Sequence, residues 1–589
     1  MTDMTPIHRI PGRTSNYDRF PSLDAGGRAE CAVGWAAVSG TIRTTDRRVV
    51  VVEAYPGVAD DDLVTLAKSL KPDTAIAADT ALKPQAEIDR MIHPDLTSDP
   101  VFGRLTTLTL QDFFDPLLQE EIRTAIRDAS GTVVVYGTGA SLITGGDLLI
   151  YADMPRREAQ LRQRRNSAPN LGTTDIAVDP SLQYKRAYFV DWRVSDAHKK
   201  TLFDRMDFVL ETCVPGQPKM ITGAVLRRSL QNAATRPLRL VPWFDPAPWG
   251  GRWLMEVCDL DRTALNYGWA FDCVPEENSL LLRFGDVLFE TPALNLVIFC
   301  PDPLLGPEIV ERFGAEFPIR FDILDTMEGG NLSLQVHPLT RYITEHFGLP
   351  YTQDESYYVL DADRDAHVYL GLREGVVPKL MTAELRRAER GETRFPDELY
   401  INRLPARRHD HFLIPAGTVH CSGAGSVVLE ISATPYIFTF KLWDWGRLGL
   451  DGRPRPLHID HGENSIRWDR DTDFVARNLV NRIRRTASGE GWVEEQTGLH
   501  ELEFIETRRH WFSDPVPHDT HGRLNVLNLV QGEEAIVESP DGGFDSFVVH
   551  YAETFIIPAA VGRYTIRPHG AARGKTCATI KAFVRPLPA

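Results

Sequence analysis

The stretch Gly330-Asn331-Leu332-Ser333-Leu334-Gln335-Val336-His337-Pro338 decides how the middle of this chain folds. Its residues alternate, so a strand here turns Leu332, Leu334 and Val336 to one face and Ser333, Gln335 and His337 to the other. Three polar side chains on one strand face want a shared partner: solvent, a ligand or a metal ion. Farther on, Glu355 opens a second strand-like run, Glu355-Ser356-Tyr357-Tyr358-Val359-Leu360. Phe412-Leu413-Ile414-Pro415-Ala416-Gly417-Thr418-Val419-His420 then reads as a strand, a Pro/Ala/Gly turn and a short strand carrying His420. Gln335, His337, Glu355 and His420 make a nitrogen and oxygen ligand set suited to Zn²⁺ or a related divalent ion, with positions left for water or substrate. Spaced along strands rather than on one helix, they imply a small β-barrel that points ligands inward.

These ordered segments resemble the class I phosphomannose isomerases (mannose-6-phosphate isomerases), a cupin family. Phe244-Asp245-Pro246-Ala247-Pro248-Trp249-Gly250-Gly251 is similar to the family's opening Trp-Gly-Gly segment. Trp443-Asp444-Trp445-Gly446-Arg447 and Asp451-Gly452-Arg453-Pro454-Arg455-Pro456-Leu457-His458 are similar to the segment after the last metal ligand. The resemblance spans about residues 236–470 and continues more loosely to 586. It implies an interconversion of mannose 6-phosphate and fructose 6-phosphate, with Gln335, His337, Glu355 and His420 as metal ligands. It places the metal histidine at His420 rather than at the nearby pair His409 and His411.

The same resemblance assigns substrate contacts. Ser333 is placed for the phosphate; Lys441 and Arg447 fall where the family carries an active-site arginine and a phosphate-facing cation. Two departures stand out. The family's lysine two residues before the metal glutamate is Gln353 here, expected at a substrate-binding place without the charge, and its active-site arginine falls on Lys441. Lysine cannot reproduce a bidentate guanidinium, and one lost charge-assisted phosphate contact costs about 1.5–3 kcal/mol. A non-catalytic, metal-containing sugar-phosphate sensor is therefore the competing reading, and a bifunctional kinase–isomerase a third.

With 589 residues the chain is too long for one core. Its net charge of −16 argues against a nucleic-acid partner, because a phosphate backbone requires a cationic face. Seven scattered cysteines without a CxxC pair read as reduced thiols of a cytoplasmic protein. No apolar run approaches a membrane span, and the first residues lack a basic and an apolar leader segment.

Residues 1–45 read as a lead-in. Over 46–235 strands and helices alternate, which predicts a doubly wound α/β domain. Its elements are the strand Val49 to Val58, a helix from Asp60 to Leu70, a strand near Thr74 to Ile76, a helix from Leu117 to Asp128, strands at Gly131 to Ala140 and Leu148 to Asp153, and a basic helix from Pro155 to Asn166. This half resembles the P-loop nucleoside and uridine kinases, with Tyr55-Pro56-Gly57 in the phosphate-loop place. The GxxxxGK[ST] loop itself is absent: Val58-Ala59-Asp60-Asp61-Asp62 stands there, and three aspartates repel a phosphate. The domain is expected to be an inactive kinase-like unit. Gly137-Thr138-Gly139-Ala140 reads as a tight turn, and Arg156 to Arg165 as a lid-like helix or a solvated basic face.

Residues 236–470 are then the metal-binding cupin domain, with strands at Trp269 to Asp272, Leu294 to Phe299 and Val427 to Ile431 and an inserted helix at Lys379 to Arg390. A helix is predicted from Asp473 to Arg485. Residues 471–589 form a second cupin-like barrel without metal, through Leu524 to Gly532 and Glu553 to Ala560. The expected whole is an α/β domain followed by β-rich double cupin barrels with a helical insert.

Overall fold

The structure, a computed structural model, describes residues 15–433, 437–498 and 503–586; the first part of the expected lead-in, 1–14, lies outside them. The chain divides into two units, one of Ser22–Ala233 with Pro275–Cys300, the other of Met1–Pro21, Ala234–Val274 and Pro301–Ala589. Among the described residues no helix is long and apolar enough to cross a membrane.

The first unit is built on a seven-stranded sheet in the order Ala32–Val33, Lys219–Thr222, Phe208–Glu211, Leu148–Asp153, Val49–Ala54, Val133–Gly137, Thr74–Ala77. The last five of these run parallel. All six residues of Val49–Ala54 and of Leu148–Asp153 are buried, as strands covered on both faces must be. Residues 185–235 supply two strands of this sheet and the helix Gly223–Ala233. The lead-in is ordered where described: Ser22–Gly26 pairs with Ser279–Phe284, and Trp35–Arg43 is helical. Leu294–Phe299, expected as a strand, is a helix of this unit. Five apolar residues around a single asparagine carry too little periodicity to separate a buried strand from a buried helix.

The basic helix is Arg156–Arg164, and two of its arginines, Arg156 and Arg162, are buried, while Arg164 is exposed as expected of a solvated face. Arg156 is buried against Asp196, and Arg162 is buried with Nε on Glu158 Oε1 at 3.1 Å and Nη2 on the Thr212 carbonyl at 2.6 Å. The phosphate-loop position is equally committed. The helix Asp60–Ser69 begins with its three aspartates, and burial, then Asp79, raises the carboxyl pKa of Asp60. The amides of Gly139 and Ser141, which an anion would seek, donate to the buried Glu53 carboxylate at 2.6 and 2.8 Å. Calorimetry with MgATP is therefore expected to give no micromolar binding in this unit. Micromolar affinity would reinstate a nucleotide site and the bifunctional reading.

The second unit holds two pairs of antiparallel sheets. In the first pair, a six-stranded sheet runs His411–Ile414, Glu355–Ala362, Ser426–Ala433, Ile319–Asp325, Trp269–Cys273, Trp243–Asp245. Its companion runs Ile401–Pro405, His367–Leu372, His420–Ser422, Leu334–Val336, Phe440–Trp443. The inserted helix is Pro378–Glu389. The second pair has six and four strands, and side chains from both sheets fill one apolar cluster that includes Phe512, Leu527, Phe555, Val516, Val537 and Ile566. The helix expected over Asp473 to Arg485 is shorter: Thr472–Asn478 is helical and Arg484–Gly489 is the first strand of the second pair. Asn481, at φ 48°, lies in the break between them.

Candidate metal centre

Leu334–Val336 lies between two neighbours, and Gln335 stands opposite His420 on one side and Lys441 on the other. Opposed residues share a face, so the pairing gathers Gln335, His420 and Lys441 and brings His337 in at the strand end. The Pro-Ala-Gly turn fixes that end: the Gly417 amide donates to the His337 carbonyl at 3.0 Å. Gly417 adopts φ 87°, and a Cβ there would meet Arg467 Cγ at 2.7 Å and Leu339 Cδ2 at 2.8 Å. Glycine is thus required sterically as well as conformationally. Arg470 holds the turn from outside by donating to the carbonyls of Pro415 and Ala416 at 2.6 and 2.8 Å. Glu355 comes from the facing sheet, at the start of its strand, opposite Ser432 and Ile414.

His337, Glu355 and His420 converge so closely that one ligand atom of each lies within 4.8 Å of the others. Glu355 Oε2 is 3.0 Å from His337 Nε2, and Oε1 is 2.8 Å from His420 Nε2. All three are essentially buried. Each imidazole spends its other nitrogen on the backbone: His337 Nδ1 donates to the Phe438 carbonyl at 3.2 Å, and His420 Nδ1 to the Thr418 carbonyl at 2.9 Å. That tautomer leaves both Nε2 lone pairs facing the carboxylate. His337 Nε2 and Glu355 Oε1 are moreover buried without an aligned hydrogen bond, although their neighbours are close. Two bare imidazole nitrogens and a carboxylate aimed at one point suit a divalent cation. The Gln335 carboxamide lies 3.3 Å from His420 Nε2, and turning it over presents its oxygen to the same point.

The Glu355 carboxylate also draws a proton to His337, which a bound cation would have to displace. Burial opposes charge on both partners of the His337–Glu355 pair, yet their attraction prevails. The Glu355 carboxyl is held below the usual carboxylate range and the His337 imidazole above its ordinary value.

Gln353 faces two buried carboxylates. Its Nε2 donates to Glu355 Oε2 at 3.0 Å and lies 3.3 Å from Glu430 Oε1, so it orients the metal carboxylate. Glu430 is buried, and burial followed by the nearby Glu355 charge raises its carboxyl well above the usual carboxylate range. Sequence reasoning missed it. The signal was a lone glutamate inside Val427-Val428-Leu429-Glu430-Ile431.

Ser333, Lys441 and Arg447 gather beside the metal cluster around a buried carboxylate that was also missed, Asp444. The Ser333 hydroxyl donates to Asp444 Oδ1 at 3.0 Å, and Arg447 Nε to the same oxygen at 2.9 Å. Arg455, likewise unforeseen, donates from Nη1 to Asp444 Oδ2 at 2.7 Å and to Ser333 Oγ at 3.0 Å. Lys441 is half-buried; burial, then Arg455, lowers its amine to about 8. Three cations around one carboxylate leave a positive surplus next to the metal ligands. His411, by contrast, stands opposite Tyr358 on the face turned away from Glu355, and His409 Nδ1 lies 2.9 Å from the Tyr358 hydroxyl. Burial holds both rings neutral, at about 3.

Comparison with known proteins follows this division. Residues 34–235 match a family model described as a domain of unknown function (DUF8485). The chain is 34% identical over 146 residues to mannose-6-phosphate isomerase ManA of Bacillus subtilis, a stretch covering 25% of this chain and 43% of that protein. It is 33% identical over 145 residues to mannose-6-phosphate isomerase of Streptococcus mutans, covering 24% and 42%. In both, the match spans less than half the length of the relative. Among solved structures, mannose 6-phosphate isomerase from Bacillus subtilis aligns with a TM-score of 0.48 at 18% identity, over 59% of this chain and 99% of that one.

Proposed function

We propose that this chain is a metal-dependent sugar-phosphate isomerase that interconverts mannose 6-phosphate and fructose 6-phosphate. The observation that carries the reading is the buried convergence of His337, Glu355 and His420 with a cationic cluster on the neighbouring strand. The similarity to proteins named mannose-6-phosphate isomerase supports it. His337, Glu355 and His420, with Gln335, would hold the divalent ion, most simply Zn²⁺. When bound, the ion supplies Lewis acidity that stabilises the enediolate formed as a proton moves between C1 and C2.

The chain's own residues do the rest. Lys441 and Arg447 present positive charge to the phosphate and the developing anion, and Arg455 and Ser333 extend that surface. Gln353 keeps the Glu355 carboxylate turned to the ion and takes no part in holding the phosphate. We assign the N-terminal unit no catalytic part: its parallel sheet fits a doubly wound, kinase-like domain, but Glu53 and the three aspartates occupy the anion-binding positions.

The second reading, a non-catalytic sugar-phosphate sensor, draws on one feature: a neutral, buried Gln353 and a lysine at 441 leave fewer fixed cations than turnover favours. The test is a coupled assay of fructose 6-phosphate conversion with added zinc. Metal-dependent formation of mannose 6-phosphate that a chelator abolishes supports the isomerase. Phosphosugar binding without conversion replaces it with the sensor.

A further inference from the structure

The second pair of sheets is not filled evenly. Ile505–Phe512 pairs antiparallel with Cys577–Val584, setting Phe512 opposite Cys577, His510 opposite Thr579, Arg508 opposite Lys581 and Glu506 opposite Phe583. The two-residue period puts all eight side chains on one face. Phe512 and Cys577 lie in the apolar core with Leu527, Leu529 and Ile566. The following rungs are imidazole, ammonium and guanidinium. The facing sheet repeats the gradient, with Val516 opposite Ile566 in the core and His518 opposite Tyr564 one rung along. A cavity of about 580 Å³ opens over this polar end, lined by Arg508, His518 and Lys581 and also by the carboxylates of Glu494, Glu506 and Asp519. That volume is in the range that holds a small molecule.

Most charges around the cavity are spent. Arg508 pairs with Glu494 and Glu506 at 2.8 and 2.7 Å, Arg523 with Glu308 at 2.5 Å, and Arg563 with Asp541 at 2.9 Å. Lys581 is different. It is 7% exposed, forms no ion pair among the described residues, and its Nζ lies 3.5 Å from His518 Nδ1.

An ammonium only donates, so His518 Nδ1 accepts and its Nε2 carries the hydrogen. That Nε2 is buried without a partner, and His518 is itself 7% exposed. The ring is held in place by stacking on Tyr564, 4.8 Å away at 11°, whose hydroxyl donates to Asn525 Oδ1 at 3.0 Å. Beneath it, His510 Nε2 donates to Glu494 Oε2 at 2.9 Å. Burial keeps the His518 ring neutral and lowers the Lys581 amine to about 8. Among the described residues no carboxylate lies within ion-pair reach of this buried amine, although Glu494, Glu506 and Asp519 favour its charge from farther away, and beside it stands an unused N–H; a methionine would cost the fold less. The arrangement is explained by a ligand that supplies both missing partners.

We infer that this cavity is a second ligand site, separate from the metal centre, for a small hydroxylated anion: its carboxylate or phosphate meets the Lys581 ammonium and a hydroxyl oxygen accepts from His518 Nε2. A cation is disfavoured by the unpaired ammonium, and the three-residue metal-type group among the described residues lies in the other barrel.

The test is site-resolved reductive methylation of the full-length chain, read by mass spectrometry, with the exposed Lys575 as internal reference. The probes are 6-phosphogluconate, gluconate, inorganic phosphate and uncharged sorbitol. Millimolar 6-phosphogluconate or gluconate is expected to slow Lys581 labelling about tenfold while Lys575 is unchanged. Protection by gluconate marks a carboxylate site, and protection by 6-phosphogluconate and phosphate without gluconate marks a phosphate site. His518→Phe retains the stacking on Tyr564 and removes the N–H, and is expected to weaken protection about tenfold. Equal labelling of Lys581 with every probe overturns the site. Protection by sorbitol as strong as by gluconate overturns the anion, and undiminished protection in His518→Phe overturns the hydroxyl contact.

Discussion

Replacing His337 with alanine is expected to empty the metal centre: the purified chain falls from about one bound divalent ion to under a tenth of that. The side chain supplies one of two imidazole nitrogens, and among the described residues the group that could hold a metal consists of His337, Glu355 and His420. The fold around it should survive, because Gly417 bonds the backbone carbonyl of residue 337, which alanine retains. Losing an outer partner of a metal ligand already costs about 10- to 100-fold in affinity, and losing the ligand itself costs more. Turnover should fall with occupancy. Stability gives an independent readout, since an ion bound only by the folded state adds stability by mass action. A chelator should lower the wild-type Tm and leave that of His337→Ala unmoved. Full occupancy in the variant, measured by elemental analysis, would remove His337 from the ligand set.

The next largest effect is expected at Lys441. Methionine there keeps the length and apolar stem of the side chain and removes its charge. If the cluster beside the metal holds a phosphate, Lys441→Met should lower kcat/KM on mannose 6-phosphate by one to two powers of ten, at about 1.4 kcal/mol per decade. Arg455→Met should weaken binding too, but it also leaves Asp444 with one fewer partner, so its stability must be measured alongside. The cleaner arm is Lys441, which forms no ion pair with Asp444 among the described residues. Unchanged kcat/KM in Lys441→Met means the lysine only carries its stem along the sheet and its head to water.

Strand periodicity carried the centre of the molecule. Ser333, Gln335 and His337 could be placed on one face because the period is two, and Pro415-Ala416-Gly417 announced a turn that only glycine completes. What periodicity could not supply was the neighbour across the sheet. Asp444, Arg455 and Glu430 become site residues through register and packing, which join positions far apart in sequence. Gln353 marks the same limit: its position beside Glu355 was legible, but its contact with Glu430 was not. Arg156 and Arg162 look solvated in a sequence because their partners, Asp196 and the Thr212 carbonyl, are distant. Short apolar runs failed for another reason. Leu294–Phe299 has no period to read, and the segment after Asn478 changes from helix to strand within a few residues.

Gln335 stands between His420 and Lys441 on adjoining strands, and this shared rung makes assembly of the centre all-or-none. A slip of one residue in either pairing turns its polar side chain out of the barrel and an apolar one in. During refolding, a chain with one mispaired strand would lack a donor or the neighbouring cation and capture its ion poorly. The time course of zinc uptake by the refolding protein, followed with a chromogenic chelator, therefore reports when these strands come into register. It should lag the recovery of β-sheet signal by however long misaligned pairings take to unzip and try again.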